Sequence, residues 1–200
     1  MSQPVTLLAN LGIPVDSAHQ PVSPATLLEG WQPDGAIWFA QACCSAGSDS
    51  PTFYEGLFDD GLDQMLTGLG RAGASVSPLP RALLGCEKPL RAFIGHVEPT
   101  FSWTLNFPPN NQALTADLVR VLYDGLCSGK PVGHAMGGYY LAIGSLLTSC
   151  ESARQGYNST LGDEAKIKLD MLLYSRVTAH DRASTVILGD PTAALTLPSR

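Results

Sequence analysis

Cys43 is the residue in this chain whose surroundings best suit chemistry. It follows the apolar run Ala36-Ile37-Trp38-Phe39-Ala40 after Gln41 and Ala42, and small residues come next: Cys44, Ser45, Ala46, Gly47. This order reads as a buried strand that delivers a cysteine to its C-terminal end, followed by a loop small enough for backbone to approach a bound group. A thiolate placed there can attack a carbonyl carbon, provided a partner takes its proton. A second apolar run, residues 90–95, ends in His96, with Glu98 and Trp103 just beyond. Ligands of parallel sheets sit outside the C-terminal ends of the strands. The two runs therefore predict Cys43 and His96 on one sheet edge, with His96, Glu98 and Trp103 shaping a substrate pocket.

Other candidates read as ordinary structure. Cys44 points the opposite way along an extended chain, into the core. Ser45 lacks the leading Gly-x of a nucleophile elbow. His134 and His180 lie on or near helical stretches and read as surface or boundary residues. Gly133 and Gly137-Gly138 do not follow a strand, which argues against a nucleotide loop. Gly189-Asp190-Pro191 reads as a turn closing a strand rather than a phosphate or metal site.

The elements that must position these groups alternate in type. Residues 5–9 form an aliphatic run expected as a strand. Ser23-Pro24 is a cap followed by proline at the first helical position, so residues 25–29 are expected as a short helix. With the strand at 36–40 this makes a βαβ unit and a parallel sheet. Helical spacing recurs at 52–73, 115–126, 133–154 and 163–179. In the helices at 115–126 and 133–154 it predicts that Leu118, Val119, Leu122, Tyr139 and Leu146 are buried. Residues 74–80 read as a linker. Residues 100–105 alternate as Phe101, Trp103 and Leu105 and read as extended, and 185–188 as a final strand.

Composition narrows the function classes. The 200 residues are 44% hydrophobic and 15% charged, with net charge −6. An acidic chain with no Lys/Arg cluster does not suit nucleic-acid binding. The apolar runs are too short and too interrupted to span a bilayer, and Met1-Ser2-Gln3-Pro4 lacks the basic start of a signal peptide. The five cysteines are odd in number, two are adjacent and none forms a CxxC pair. That argues against a disulfide framework or zinc site and for a cytoplasmic protein. Asn158-Ser159-Thr160 matches a glycosylation sequon by chance on this reading.

Gln41-Ala42-Cys43 matches the local signature around the nucleophile of caspase-like cysteine peptidases, although Ser45 stands where those carry glycine. Three further stretches follow in order. They are residues 92–99 leading to Phe101-Ser102-Trp103, then Gly129-Lys130-Pro131-Val132-Gly133, then Val186-Ile187-Leu188-Gly189-Asp190-Pro191. Together, over residues 23–196, they resemble the bacterial CHAT-type branch of the caspase-like clan. The resemblance implies a three-layer α/β/α sandwich with a mostly parallel sheet, one domain over residues 1–200, and peptide hydrolysis by a Cys–His dyad without a cofactor. Cys43 takes the nucleophile position. In the family the histidine closes the preceding strand in a His-Gly pair. Here that strand falls at residues 5–9, and Leu11 precedes Gly12 where the histidine belongs. Three alternatives stand: the dyad is broken, His19 in the next loop supplies the base, or the chain lacks the first strands of the fold. The implied partner is a peptide or protein substrate. The implied function is a cysteine endopeptidase, weak or inactive in this chain, or a non-catalytic caspase-like module that binds through the same cleft.

Overall fold

The computed structural model describes residues 4–107, 112–113 and 115–196. The run expected as the first strand is instead a helix, α1 (Pro4–Asn10). Leu7, Leu8 and Ala9 are good helix formers, and no strand of the sheet pairs with them. The predicted βαβ unit is therefore absent. Helix α2 (Pro24–Gly30) starts as its sequence dictates, with Ser23 Oγ accepting from Thr26 N at 3.0 Å. Strand β1 (Ile37–Phe39) follows, then the two-residue strand β2 (Gly47–Ser48). Helix α3 (Asp60–Gly70) is shorter than the predicted 52–73, because Asp59 caps it by accepting from Leu62 N. The expected linker at 74–80 holds strand β3 (Ser75–Val76) and the start of helix α4 (Pro78–Gly85).

Strand β4 (Ala92–His96) comes next. Residues 102–105, expected as extended, wind into a 3₁₀ turn, Ser102–Leu105. Strand β5 (Asn106–Phe107) pairs antiparallel with β6 (Gln112–Ala113). The helix predicted at 115–126 is divided: α5 (Ala116–Val119) passes into a π-helical turn, Arg120–Gly125, and a 3₁₀ turn, Leu126–Ser128. Two long helices, α6 (Val132–Asn158) and α7 (Asp163–Ala183), lead to strand β7 (Thr185–Gly189).

The central sheet has the order β1-β4-β7. Strand β1 runs parallel to β4 with Trp38 opposite Phe93, and β7 runs antiparallel to β4 with His96 opposite Thr185. The sheet is mixed, not mostly parallel. The reason lies in α7, which ends beside the C-terminal end of β4, where Val97 N donates to Ser184 O at 3.0 Å. A strand that begins there can only run back along β4.

Side chains alternate across this sheet as the pleat requires. Ala92 and Ile94 pack with Val121, Val132, Met136 and Tyr139 on one side. Phe93 packs with Trp38, Leu79, Leu83 and Leu188 on the other. A third cluster joins Tyr54 and Leu66 to Val177 of α7. Of the residues predicted to be buried, Leu118 and Tyr139 are, and Leu122 and Leu146 are half-buried. Val119 is 49% exposed, because α5 turns Leu118 inward and the π-helical turn then buries Val121.

Met136 is fully buried where α6 meets the sheet. Met136→Ala is expected to lower unfolding free energy by about 2–5 kcal/mol, the range for truncating a large aliphatic core residue. Urea denaturation checks this, and an unchanged midpoint would show that this helix face is not core.

Candidate functional site

Because β1 and β4 are parallel neighbours, both chains leave the sheet on one edge. Pairing continues past their ends. Ala40 N donates to Ile94 O at 2.8 Å, Ala46 N to His96 O at 2.9 Å and Cys44 N to Glu98 O at 3.1 Å. Ser45 joins the two segments from its side chain: Oγ accepts from His96 N at 3.0 Å and reaches Ala40 O at 3.3 Å. Gly95 makes this contact possible, since a Cβ there would lie 2.6 Å from Ser45 Oγ.

The turn that separates the two cysteines is left-handed at Cys44, with φ 51°. A non-glycine residue adopts that conformation at a cost of about 1–2 kcal/mol. Two contacts hold it. Ser77 Oγ donates to Cys44 O at 2.7 Å, and Gly12, at φ 62°, packs so closely that its Cβ would lie 2.5 Å from that same oxygen. The turn sends Cys43 outward and Cys44 inward. Burial, then the neighbouring Cys43 and Glu98, pushes the Cys44 thiol up to about 12, so it stays protonated.

Cys43 is exposed. Its S–H donates to Thr100 O at 3.2 Å, and Thr100 N–H donates back to Sγ at 3.4 Å. Gln41 Nε2 holds the same residue through Thr100 Oγ1 at 3.1 Å. The thiol borders a groove of about 1140 Å³, bounded by Leu7, Leu11 and Gly12 on one side and by Glu55, Met65 and Leu69 on another. Such a volume accommodates several residues of an extended peptide.

A buried polar layer lies beneath. Glu98 is 2% exposed; Thr52 Oγ1 donates to its Oε2 at 2.9 Å and Phe53 N to its Oε1 at 3.3 Å. Burial raises its pKa, against the pull of those two bonds. His96 is 1% exposed, and its Nδ1 lies 3.0 Å from Ser184 Oγ. That hydroxyl donates to Asp181 O at 2.6 Å, so it accepts from Nδ1–H, which assigns the tautomer. Among the described residues Nε2 has no hydrogen-bond partner, nor has the buried Tyr54 OH. Burial raises the Tyr54 pKa, so the phenol stays protonated.

The structure thus brings Cys43 to the end of β1 beside the exit of β4, and it keeps the other expected site residues out of the groove. His96 and Glu98 form the buried layer. Trp103 sits on the 3₁₀ turn, its ring tilted against Phe101 at 5.4 Å and Tyr174 at 6.1 Å, and does not line the groove. His19 occupies an exposed turn, with φ 59° and its N–H donating to Asp16 O, and it does not line the groove either. His134 is exposed, and His180 is half-buried against Phe53. Among the described residues, no cluster of three or more His, Cys, Asp or Glu could hold a metal ion.

Sequence reasoning missed three contributors. Thr100 carries no catalytic signature, because it acts through backbone atoms. Ser77 was visible as a residue before proline, yet its role as a strap on Cys44 depends on a distant turn. Asp181 lies two residues past the helix expected at 163–179, where nothing in the sequence marks it. No family model, no curated protein and no solved structure matches this chain.

Burial holds the His96 imidazole below its ordinary value of 6.5, with Asp181 at 3.8 Å partly opposing. The folded chain therefore takes up this proton less readily than the unfolded chain. The His96 contribution is complete above pH 6.5 and is lost as pH falls from there through the lowered value, by at most about 1.4 kcal/mol per pH unit. His180, also lowered, acts in the same direction, whereas Glu98, raised from 4.5, contributes below that value and loses its contribution as pH rises. Comparing wild type with His96→Asn cancels the other two groups. The stability difference is expected to shrink as pH drops below 6.5; a flat difference down to the acid transition would contradict the burial argument.

Proposed function

We propose that this chain carries the nucleophile-bearing part of a caspase-like cysteine peptidase domain, with the three-layer α/β/α architecture of that clan, and that it binds an extended peptide segment in the groove beside Cys43. The observation that carries this reading is the exposed Cys43 thiol at the C-terminal edge of β1, opening on that groove. Helices α4 and α6 contribute to the apolar clusters on opposite sides of the sheet, which supports the architecture.

In the proposed reaction Sγ attacks the peptide carbonyl carbon. The C–N bond breaks as the leaving nitrogen gains a proton, and water then hydrolyses the thioester. The proton must come from a base that first accepted it from the thiol. Among the described residues, the polar partners of Cys43 Sγ are the Thr100 carbonyl and amide, and neither can serve. Leu11, just past the end of α1, borders the groove and cannot take a proton. Turnover by this chain is therefore slow, since the acid–base contribution is typically worth about 10²–10⁴-fold. The same observation favours a second reading, a caspase-like module that binds a peptide without cleaving it. We place the chain in the cytoplasm, on the strength of five free cysteines; no helix among the described residues is long and apolar enough to cross a membrane.

A peptidyl chloromethyl ketone library tests the reading. The wild type is expected to be labelled at Cys43 in preference to exposed Cys127, with Cys43→Ala unlabelled in the groove and peptide turnover near background in both. Labelling of Cys127 and Cys43 at equal rates would remove the peptide-binding groove. Rapid turnover abolished by His19→Ala would instead install His19 as the base.

A further inference from the structure

We infer that Asp181 is the positioning residue of Cys43: through the turn at residues 100–104, its carboxylate holds Thr100 where the thiol meets it. The chain of contacts is short. Among the described residues, Cys43 Sγ is held by Thr100 N–H and Thr100 C=O. Thr100 lies between β4 and the 3₁₀ turn, outside any regular element. The next residue, Phe101, donates its N–H to Asp181 Oδ2 at 3.4 Å. Thr104 Oγ1 bonds to the same carboxylate oxygen and lies 2.6 Å from Phe101 O, closing the turn on Asp181.

Asp181 is itself fixed. Ser184 Oγ donates to its backbone oxygen, and His96 Nδ1–H donates to Ser184 Oγ, which ties the end of α7 to the end of β4. At 2% exposure Asp181 cannot touch a peptide in the groove. A carboxylate is costly to bury, and an apolar residue would fill the space with less penalty. Its Oδ2 bonds go to the turn that carries Thr100, and that assigns it a task there rather than in the core at large.

The inference rests on Cys43 being the reactive group of the groove. Its readout is a side-chain rotamer and involves no turnover or labelling by peptide, so the two readings fail separately. The full chain is studied by NMR as wild type, Asp181→Ala, Thr104→Val and Thr104→Ser. Three-bond couplings across the Cα–Cβ bond of Cys43 report its χ1. The wild type and Thr104→Ser, which keeps the hydroxyl, are expected to show one staggered rotamer and a protected Thr100 amide. Asp181→Ala and Thr104→Val are expected to show rotamer averaging at Cys43, with Thr100 amide exchange faster by about tenfold. Resistance of buried Cys44 to alkylation verifies the fold. A single Cys43 rotamer in either folded variant overturns the inference. So does loss of Cys44 protection in both, because the contacts would then hold the fold as a whole and not the thiol.

Discussion

The parallel pairing of β1 with β4, continued past both strand ends through residues 40–46, is the constraint on which the rest depends. Three residues of β1 make a short strand, too short to hold a loop in place by itself. What orders the loop is the run of bonds from Ala40, Cys44 and Ala46 to the exit of β4, reinforced by Ser45. Each bond nets only about 1 kcal/mol, but a buried amide left without a partner costs more than the bond gains. The loop therefore has one low-energy path along β4. That path fixes the left-handed turn at Cys44, and the turn decides which cysteine faces water.

The layer below the groove follows the same logic. His96, Asp181, Ser184 and Thr185 are all buried polar residues at the junction of β4, α7 and β7, and His96, Ser184 and Asp181 are bonded in series. Directional bonds among such groups specify a unique arrangement in a way that apolar packing does not. They lock the end of α7 to the end of β4 and so reverse the chain into β7. The antiparallel third strand and the support of the thiol thus share one physical origin.

Local signals in the sequence were reliable where they concerned caps and long periodic runs. Ser23-Pro24 starts α2, Ala92–His96 is a strand, and α6 and α7 lie where periodicity placed them. They misled where a short pattern has two solutions. Leu7, Leu8 and Ala9 suit a helix as well as a strand, and only a neighbouring strand could have decided for extension. Phe101, Trp103 and Leu105 alternate like a strand, yet Asp181, some eighty residues away in sequence, pulls the segment into a 3₁₀ turn. In the same way, no local signal records which direction β7 will run.

For the site, the sequence by itself determined that a cysteine stands just past a strand and ahead of a run of small residues. It also determined that Leu11 cannot act as a base, since that follows from residue type alone. Tertiary structure decided what surrounds the thiol. It buried His96 and Glu98, kept Trp103 and His19 off the groove, and chose Thr100, whose contribution is a backbone amide and carbonyl. Residue types announce side-chain chemistry. Backbone contacts between segments 57 residues apart, like the one between Cys43 and Thr100, exist only once the sheet has brought the two chains together.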